Sequence, residues 1–366
     1  MELPPNPYSL YPDLYNAYNS CLQLERRQLW GVHEEEVAAF RVPPLLNLSP
    51  KVVGRCLGQT LLNAPSDNGR NSFANDINSC DSLGKLASLA HLVVQGMIRI
   101  FYNPKGRVPV ELQKHSPRPS FTPQAERIAK AMKEPLEESN VKTLVQLRDN
   151  YRCIISGTVD IVADEGSLTK WNKGEPLGHT QLGHIFSQST IKDIGDPEDG
   201  PIEGSEKTKR EWASAAATII ERYAGISIVQ ELNGSKIHRA ENSFVSSNNV
   251  HQLFDSLHVA ITPKGANQPN TYQVHTFPPD RHEGFGVPTE ITLTDHSNGL
   301  VPMPNPRYFE LHCICAKVMH LSGAAEVIDK LLRDLEEIDV LAVDGSNATQ
   351  LSFALSMALN REVAPV

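Results

Sequence analysis

Along the first hundred residues, apolar side chains return at every third or fourth position, the rhythm of helices that bury one face. The stretches DLYNAYNSCLQLERRQLW (13–30), LSPKVVGRCLGQTLL (48–62) and SLGKLASLAHLVVQGMIRIFY (82–102) all carry it. Ser49, followed by Pro50, is placed to cap the second of these, and Asp81 or Ser82 the third. The pattern then breaks, because residues 103–124 hold five prolines and read as a connector with little regular structure. Helices are predicted around 123–134 and 138–149. From residue 150 the chain turns β-branched and apolar. YRCIISGTVDIVA (151–163) reads as a short hairpin about its Ser-Gly turn, and TQLGHIFSQS follows at 180–189. An acidic Gly/Pro loop (193–206) leads to a helix over 207–224 that Gly225 stops. HVAITPKGANQPNTYQVHTF (258–277) reads as two strands about a turn, and TEITLTD (289–295) as another strand. The stretch 305–338 reads as a long amphipathic helix or a pair broken near Gly323.

These elements predict an α+β protein. A helical region (1–102) and the proline-rich connector (103–124) precede a central mixed region (125–262) with a helical insertion (193–240). A strand-then-helix region (263–366) follows. Apolar residues make up 40% of the 366 and charged residues 21%, an ordinary globular balance with enough chain for a substantial core. No run of about 18 apolar residues occurs, so no membrane span is expected. The first residues, MELPPNPYSLYPDLYNAYNS, place prolines, tyrosines and acids where a secretion signal has a basic start and an apolar stretch, so an intracellular protein is expected. Six scattered cysteines form no C-x-x-C pair and read as reduced thiols, mostly small buried side chains. The net charge of −9 argues against a surface coated in basic residues for bulk nucleic-acid binding. It does not bear on one local phosphate-binding cleft.

Two short pieces carry candidate chemistry: GHIF (183–186) and NSFVSSNNVHQLFD (242–255). They place a histidine near the end of a strand, an asparagine on a loop, and a histidine opening a helix. Hydrolysis of a phosphodiester asks for these types. A neutral histidine takes a proton from water near pH 7, a divalent metal polarises the phosphate and steadies the departing oxygen, and an amide fixes the histidine's orientation. Asp255 lies four residues after His251, one turn along the same helix face, where the two side chains can share an ion. Taken singly, His184 between Leu182 and Ile185 reads as a hydrogen-bonded core histidine, Asn242 as a turn or cap residue, and Asp255 as a partner of backbone or arginine. His312 and His320, eight apart, read as helix-packing residues.

In this order, RCIISG (152–157), GHI (183–185) and NSFVSSNNVHQLFD (242–255) resemble the HNH endonuclease family, in the branch whose members run R-C-x-x-[ST]-G, then [AG]-H-I, N-G-x-x-L and H-x-x-F-D. LRDNYRCIISG and LHCICAKVMHLSGAAEVIDKLL are similar to the flanks of long fungal proteins that carry this domain. The resemblance implies a ββα-metal fold in the central region and metal-dependent hydrolysis of nucleic acid, DNA before RNA. It implies His184 as general base, Asn242 as the residue that orients it, and His251 as a ligand of a divalent ion (Mg, Mn or Zn), with Asp255 on the same ion. In members with a zinc knuckle a second cysteine follows three residues after the first; that position is Ser156 here, and no structural zinc is expected. Many members carry an acid or histidine immediately before the base as a metal ligand. That position is Gly183, and Asp160, Asp164 or His179 are the substitutes the sequence offers. The usual glycine after the asparagine is Ser243. The rival expectations are a nucleic-acid-binding or regulatory module without catalysis, and a protein-interaction scaffold.

Overall fold

The computed structural model describes residues 1–39, 48–102, 124–187, 216–265 and 267–336. Helices and small sheets are mixed, an α+β arrangement. The chain divides into two compact units: Met1–Arg99 with Gly195–Ser227 and Ile314–Val366, and Ile100–Ile194 with Ile228–Cys313. The sequence-based boundary at 262/263 falls inside a strand, Val259–Pro263, rather than between domains. The proline-rich connector lies outside the described residues except for Gln124, and so does the insertion from 193 to 215.

The first unit is helical among its described residues. Pro12–Arg26 and Pro50–Leu62 pack so closely that a Cβ on Gly54 would stand 2.5 Å from the carbonyl oxygen of Cys21. Ser49 Oγ accepts from the N–H of Val52, with Pro50 in the first turn, as expected. Of the two proposed caps for the next helix, Ser82 takes the role: its Oγ accepts from Lys85 N, while Asp81 pairs with the Lys85 ammonium at 2.8 Å. The helical stretch 83–101 is not uniform, since Val93–Ile98 widens into a π-helix. A helix at Asp67–Asn78, capped by Ser66, had no counterpart in the sequence pattern. Only Gly69, Phe73, Ala74 and Ile77 of it are buried, too thin a stripe to stand out among its asparagines and aspartates. Residues 216–224 are helical and end at Gly225, whose φ is +64°. Pro306–Ser322 and Ala324–Glu336 are the pair expected around Gly323, which takes a φ of +86°. The chain turns by 85° there.

The second unit is organised by a buried ion pair. Arg148 ends the helix Glu138–Arg148 and is fully buried. Its Nε and one Nη grip the Asp149 carboxylate at 2.7 and 3.1 Å. Its remaining N–H groups reach the carbonyls of Ala240, Pro302 and Ser243 at 2.9, 2.7 and 2.8 Å. A guanidinium has five N–H donors, and every one is used. Asp149 accepts in addition from Val245 N at 2.8 Å, so the pair fixes the helix end against the strand that begins at Ser243. Beside it Val141, Leu144, Val145, Ala240, Val245 and Val301 form an apolar cluster that also takes in Leu182.

The expected hairpin over 151–163 is reduced to a tight turn. Arg152 bridges Val159, and Gly157, at φ +72°, donates to the Cys153 carbonyl. Strand β1 (Val159–Asp160) pairs in parallel with β2 (Leu177–Gly178). Ile161–Glu165 is a helix instead of a continuing strand, because Asp160 Oδ1 caps it through Ala163 N at 3.0 Å. The strands expected over 258–277 and 289–295 are present as an antiparallel sheet of β5 (Val259–Pro263), β6 (Thr271–Thr276) and β7 (Glu290–Thr292).

Candidate active site

Two strands and one helix position the candidate residues. Strand β3 (Thr180–His184) pairs antiparallel with β4 (Ser243–Ser247), with Gly183 opposite Phe244 and His184 opposite Ser243. Every residue of β4 is buried. Its last residue, Ser247, is also the cap of the site helix Asn248–Asp255, with Oγ accepting from Val250 N at 3.4 Å. No loop separates the strand from the helix. Val250 and Phe254 are the buried face of this helix. Phe254 stacks flat on His312 (centroids 3.7 Å, planes 6° apart) and meets Phe244 and Phe309 edge to face. His251 and Asp255 stand on another edge of the helix, mostly covered but reached by solvent, with Nδ1 and Oδ2 3.4 Å apart. The aromatics thus anchor the helix and leave the His–Asp edge to a different face.

His184 lies at the end of β3, and Nε2 of its ring meets Nδ1 of His238 at 3.3 Å. The two rings are edge to face, with centroids 5.3 Å apart. His238 ends the short 3-10 helix Gly234–His238 and is nearly fully buried. Sequence reasoning missed it. The only signal was its place in KIHRAEN (236–242), four residues before Asn242, and no helical or strand period relates those two positions.

Asn242 is fully buried and does not bond to His184. Its Oδ1 accepts from Phe186 N at 2.9 Å, and its Nδ2 donates to the carbonyls of Phe186 and Ile237 at 3.2 and 2.9 Å. Its effect on His184 therefore passes through backbone. It clamps the residue two after His184 and the residue one before His238.

Burial sets the charges. It drives the His184 imidazole down to about 3, with the neighbouring His238 and His251 adding to the effect. It likewise lowers His251 to about 4 and raises the Asp255 carboxyl to about 8. All three shifts favour the uncharged forms, two neutral imidazoles beside a protonated acid. A cation placed between His251 and Asp255 reverses that balance, favouring the carboxylate and releasing its proton. An anionic phosphate close by favours the imidazolium form of His184 and brings its basicity toward a useful range.

The position before His184 explains itself locally. A Cβ on Gly183 would lie 3.1–3.3 Å from the Phe244 ring, so a side chain here requires that aromatic to give by a few tenths of an ångström. The substitutes are engaged or exposed. Asp160 Oδ2 accepts from Thr180 N and Oγ1 at 2.9 and 2.6 Å, and Asp164 Oδ1 from Trp171 N at 2.8 Å. His179 is exposed and precedes Thr180. Thr180 is the far end of β3 from His184, about 13 Å away at the rise of an extended strand. Cys153 is buried in its turn, where Sγ accepts from Ser156 N at 3.3 Å.

Among the described residues, no group of three or more His, Cys, Asp or Glu is arranged to hold a metal ion. The His251–Asp255 pair offers one imidazole nitrogen and one carboxylate oxygen, two donors on one helix edge. It does not fit a closed four-ligand zinc centre. His312, one of the two helix histidines, is a packing residue: fully buried, it donates from Nε2 to the Phe254 carbonyl at 3.1 Å. Comparison with family models, with curated proteins and with solved structures found no match to this chain.

Proposed function

We propose that the second unit is a metal-dependent phosphodiesterase site of the ββα-metal kind, cleaving nucleic acid, DNA before RNA. The observation that carries this reading is the succession β3, β4, site helix. It brings a neutral imidazole to a strand end and sets a His–Asp pair 3.4 Å apart on the helix that follows the partner strand. His184 takes the proton of the attacking water. Asn242 holds the backbone on either side of the histidines, and Phe254 fixes the helix. His251 and Asp255 would hold a divalent ion, which would supply neutralisation of charge at the phosphate and the leaving oxygen.

The test is cleavage of supercoiled plasmid by the full chain with Mg²⁺, Mn²⁺ or Zn²⁺. Metal-dependent nicking that chelation removes is expected, with His184→Ala lowering the rate by about 10²–10⁴-fold, the span of a positioned acid–base group. Its circular dichroism should match the parent. Full activity in that variant retires the mechanism. The packing of Gly183 against Phe244 favours one second reading, a nucleic-acid-binding module without cleavage. Plasmid or duplex binding with no measurable metal affinity by calorimetry selects it.

A further inference from the structure

We propose that His238 is the positioning residue of this site: its Nδ1 accepts the Nε2 hydrogen of His184, which leaves Nδ1 of His184 as the nitrogen that faces water. The inference deepens the hydrolase reading and rests on it for its catalytic half. Three observations support it. The two nitrogens are 3.3 Å apart, His238 is nearly buried, and the backbone of His184 is fixed opposite Ser243 by strand pairing. Among the described residues, Nδ1 of His184 makes no hydrogen bond, so it is the nitrogen left for a substrate water. Asn242 braces both partners at once through Phe186 and Ile237, which makes the imidazole pair, rather than an amide–imidazole pair, the unit that is positioned.

The role has a definite sequence of bonds. As water attacks phosphorus, its proton passes to Nδ1 of His184, the new P–O bond forms, and the P–O bond to the leaving group breaks. The leaving oxygen takes a proton from solvent. His184 is now an imidazolium, and its Nε2–H bond to His238 becomes charge-assisted and stronger. His184 then returns its Nδ1 proton to solvent. If the bond ran the other way, with His238 donating, His184 would carry its hydrogen on Nδ1 and have no lone pair to offer water.

The experiment is long-range ¹H–¹⁵N correlation on the full chain with ¹⁵N-labelled histidine, beside plasmid cleavage. The wild type should show His184 with the hydrogen on Nε2 and a through-hydrogen-bond coupling to Nδ1 of His238. His238→Phe should lose that tautomer preference and lower kcat by about 10–100-fold with KM unchanged, the usual cost of removing an orienting partner. His238→Gln, whose amide oxygen can accept the same hydrogen, should keep the tautomer and most of the rate. A wild-type His184 with its hydrogen on Nδ1, absence of the coupling, or an unchanged tautomer in His238→Phe overturns the proposal. The first two outcomes are read on the parent protein and do not depend on any variant folding. Failure of every chain to cleave plasmid with any of the three metals sinks the hydrolase reading instead, while tautomer and coupling still decide the pairing.

Discussion

The second unit contains two covered acid–base pairs, one of adjacent residues and one of residues four apart, that behave oppositely in the structure. At Arg148–Asp149 all five guanidinium N–H groups and the carboxylate are bonded, to each other and to Ala240, Ser243, Val245 and Pro302. At His251–Asp255 the two side chains have one 3.4 Å contact and, among the described residues, no other hydrogen bond. A buried charge is tolerated when every polar atom has a partner. The first pair meets that condition from the chain itself and serves architecture. The second leaves donor capacity unused, which is what a site needs if something from outside is to complete it. Saturation of hydrogen bonding, more than burial or charge, separates the structural pair from the functional candidate.

The comparison breaks most visibly at Arg148. Arg148→Ala strands a buried carboxylate and three carbonyls, and should cost about 3–5 kcal/mol of stability by chemical unfolding, the range for a buried pair broken on one side. A loss under 1 kcal/mol would mean the network does not hold the strand. Next in size is an acid effect at His312, whose folded pKa is lowered to about 3 by burial. Its stabilising contribution is complete above the unfolded value near 6.5 and is lost as pH falls below it, by about 2 kcal/mol at pH 5. Replacing it with glutamine should flatten that part of the pH–stability curve. Opposite in sign to Arg148→Ala is Asp255→Asn. The Asp255 carboxyl is raised to about 8, so its contribution is full below about pH 4 and lost as pH rises toward 8. The amide should therefore stabilise the metal-free protein at pH 7, while calorimetry shows weakened Mg²⁺ or Mn²⁺ binding. Destabilisation by Asp255→Asn would place this residue with the architectural pair.

Much of the fold was legible because its signals are local. Ser49 and Ser82 cap their helices, Gly225 and Gly323 end theirs, and the strands over 258–277 alternate as half-covered strands do. The helix Asp67–Asn78 was hidden by its polar composition, and Asp160 turned an apparent strand into a helix through one side-chain bond. At the candidate site, the placement of His184 on a strand and of His251 and Asp255 on one helix edge followed from order and period. His238 did not, because a contact 54 positions away in sequence depends on how two irregular segments meet. Asn242 was expected, from the resemblance, to orient His184 directly, whereas in the folded chain its amide bonds to backbone.

Ser247 ends a strand and starts a helix, and that shared residue gears the two together. Advancing β4 by one position against β3 would flip its side chains to the opposite face and carry the helix that starts at Ser247 round with them. A single-residue insertion between Ser243 and Ser247 is then not a local blemish. It either leaves the pairing in place and bulges, or carries the helix out of phase with His184, and so the length of this short run matters as much as its composition.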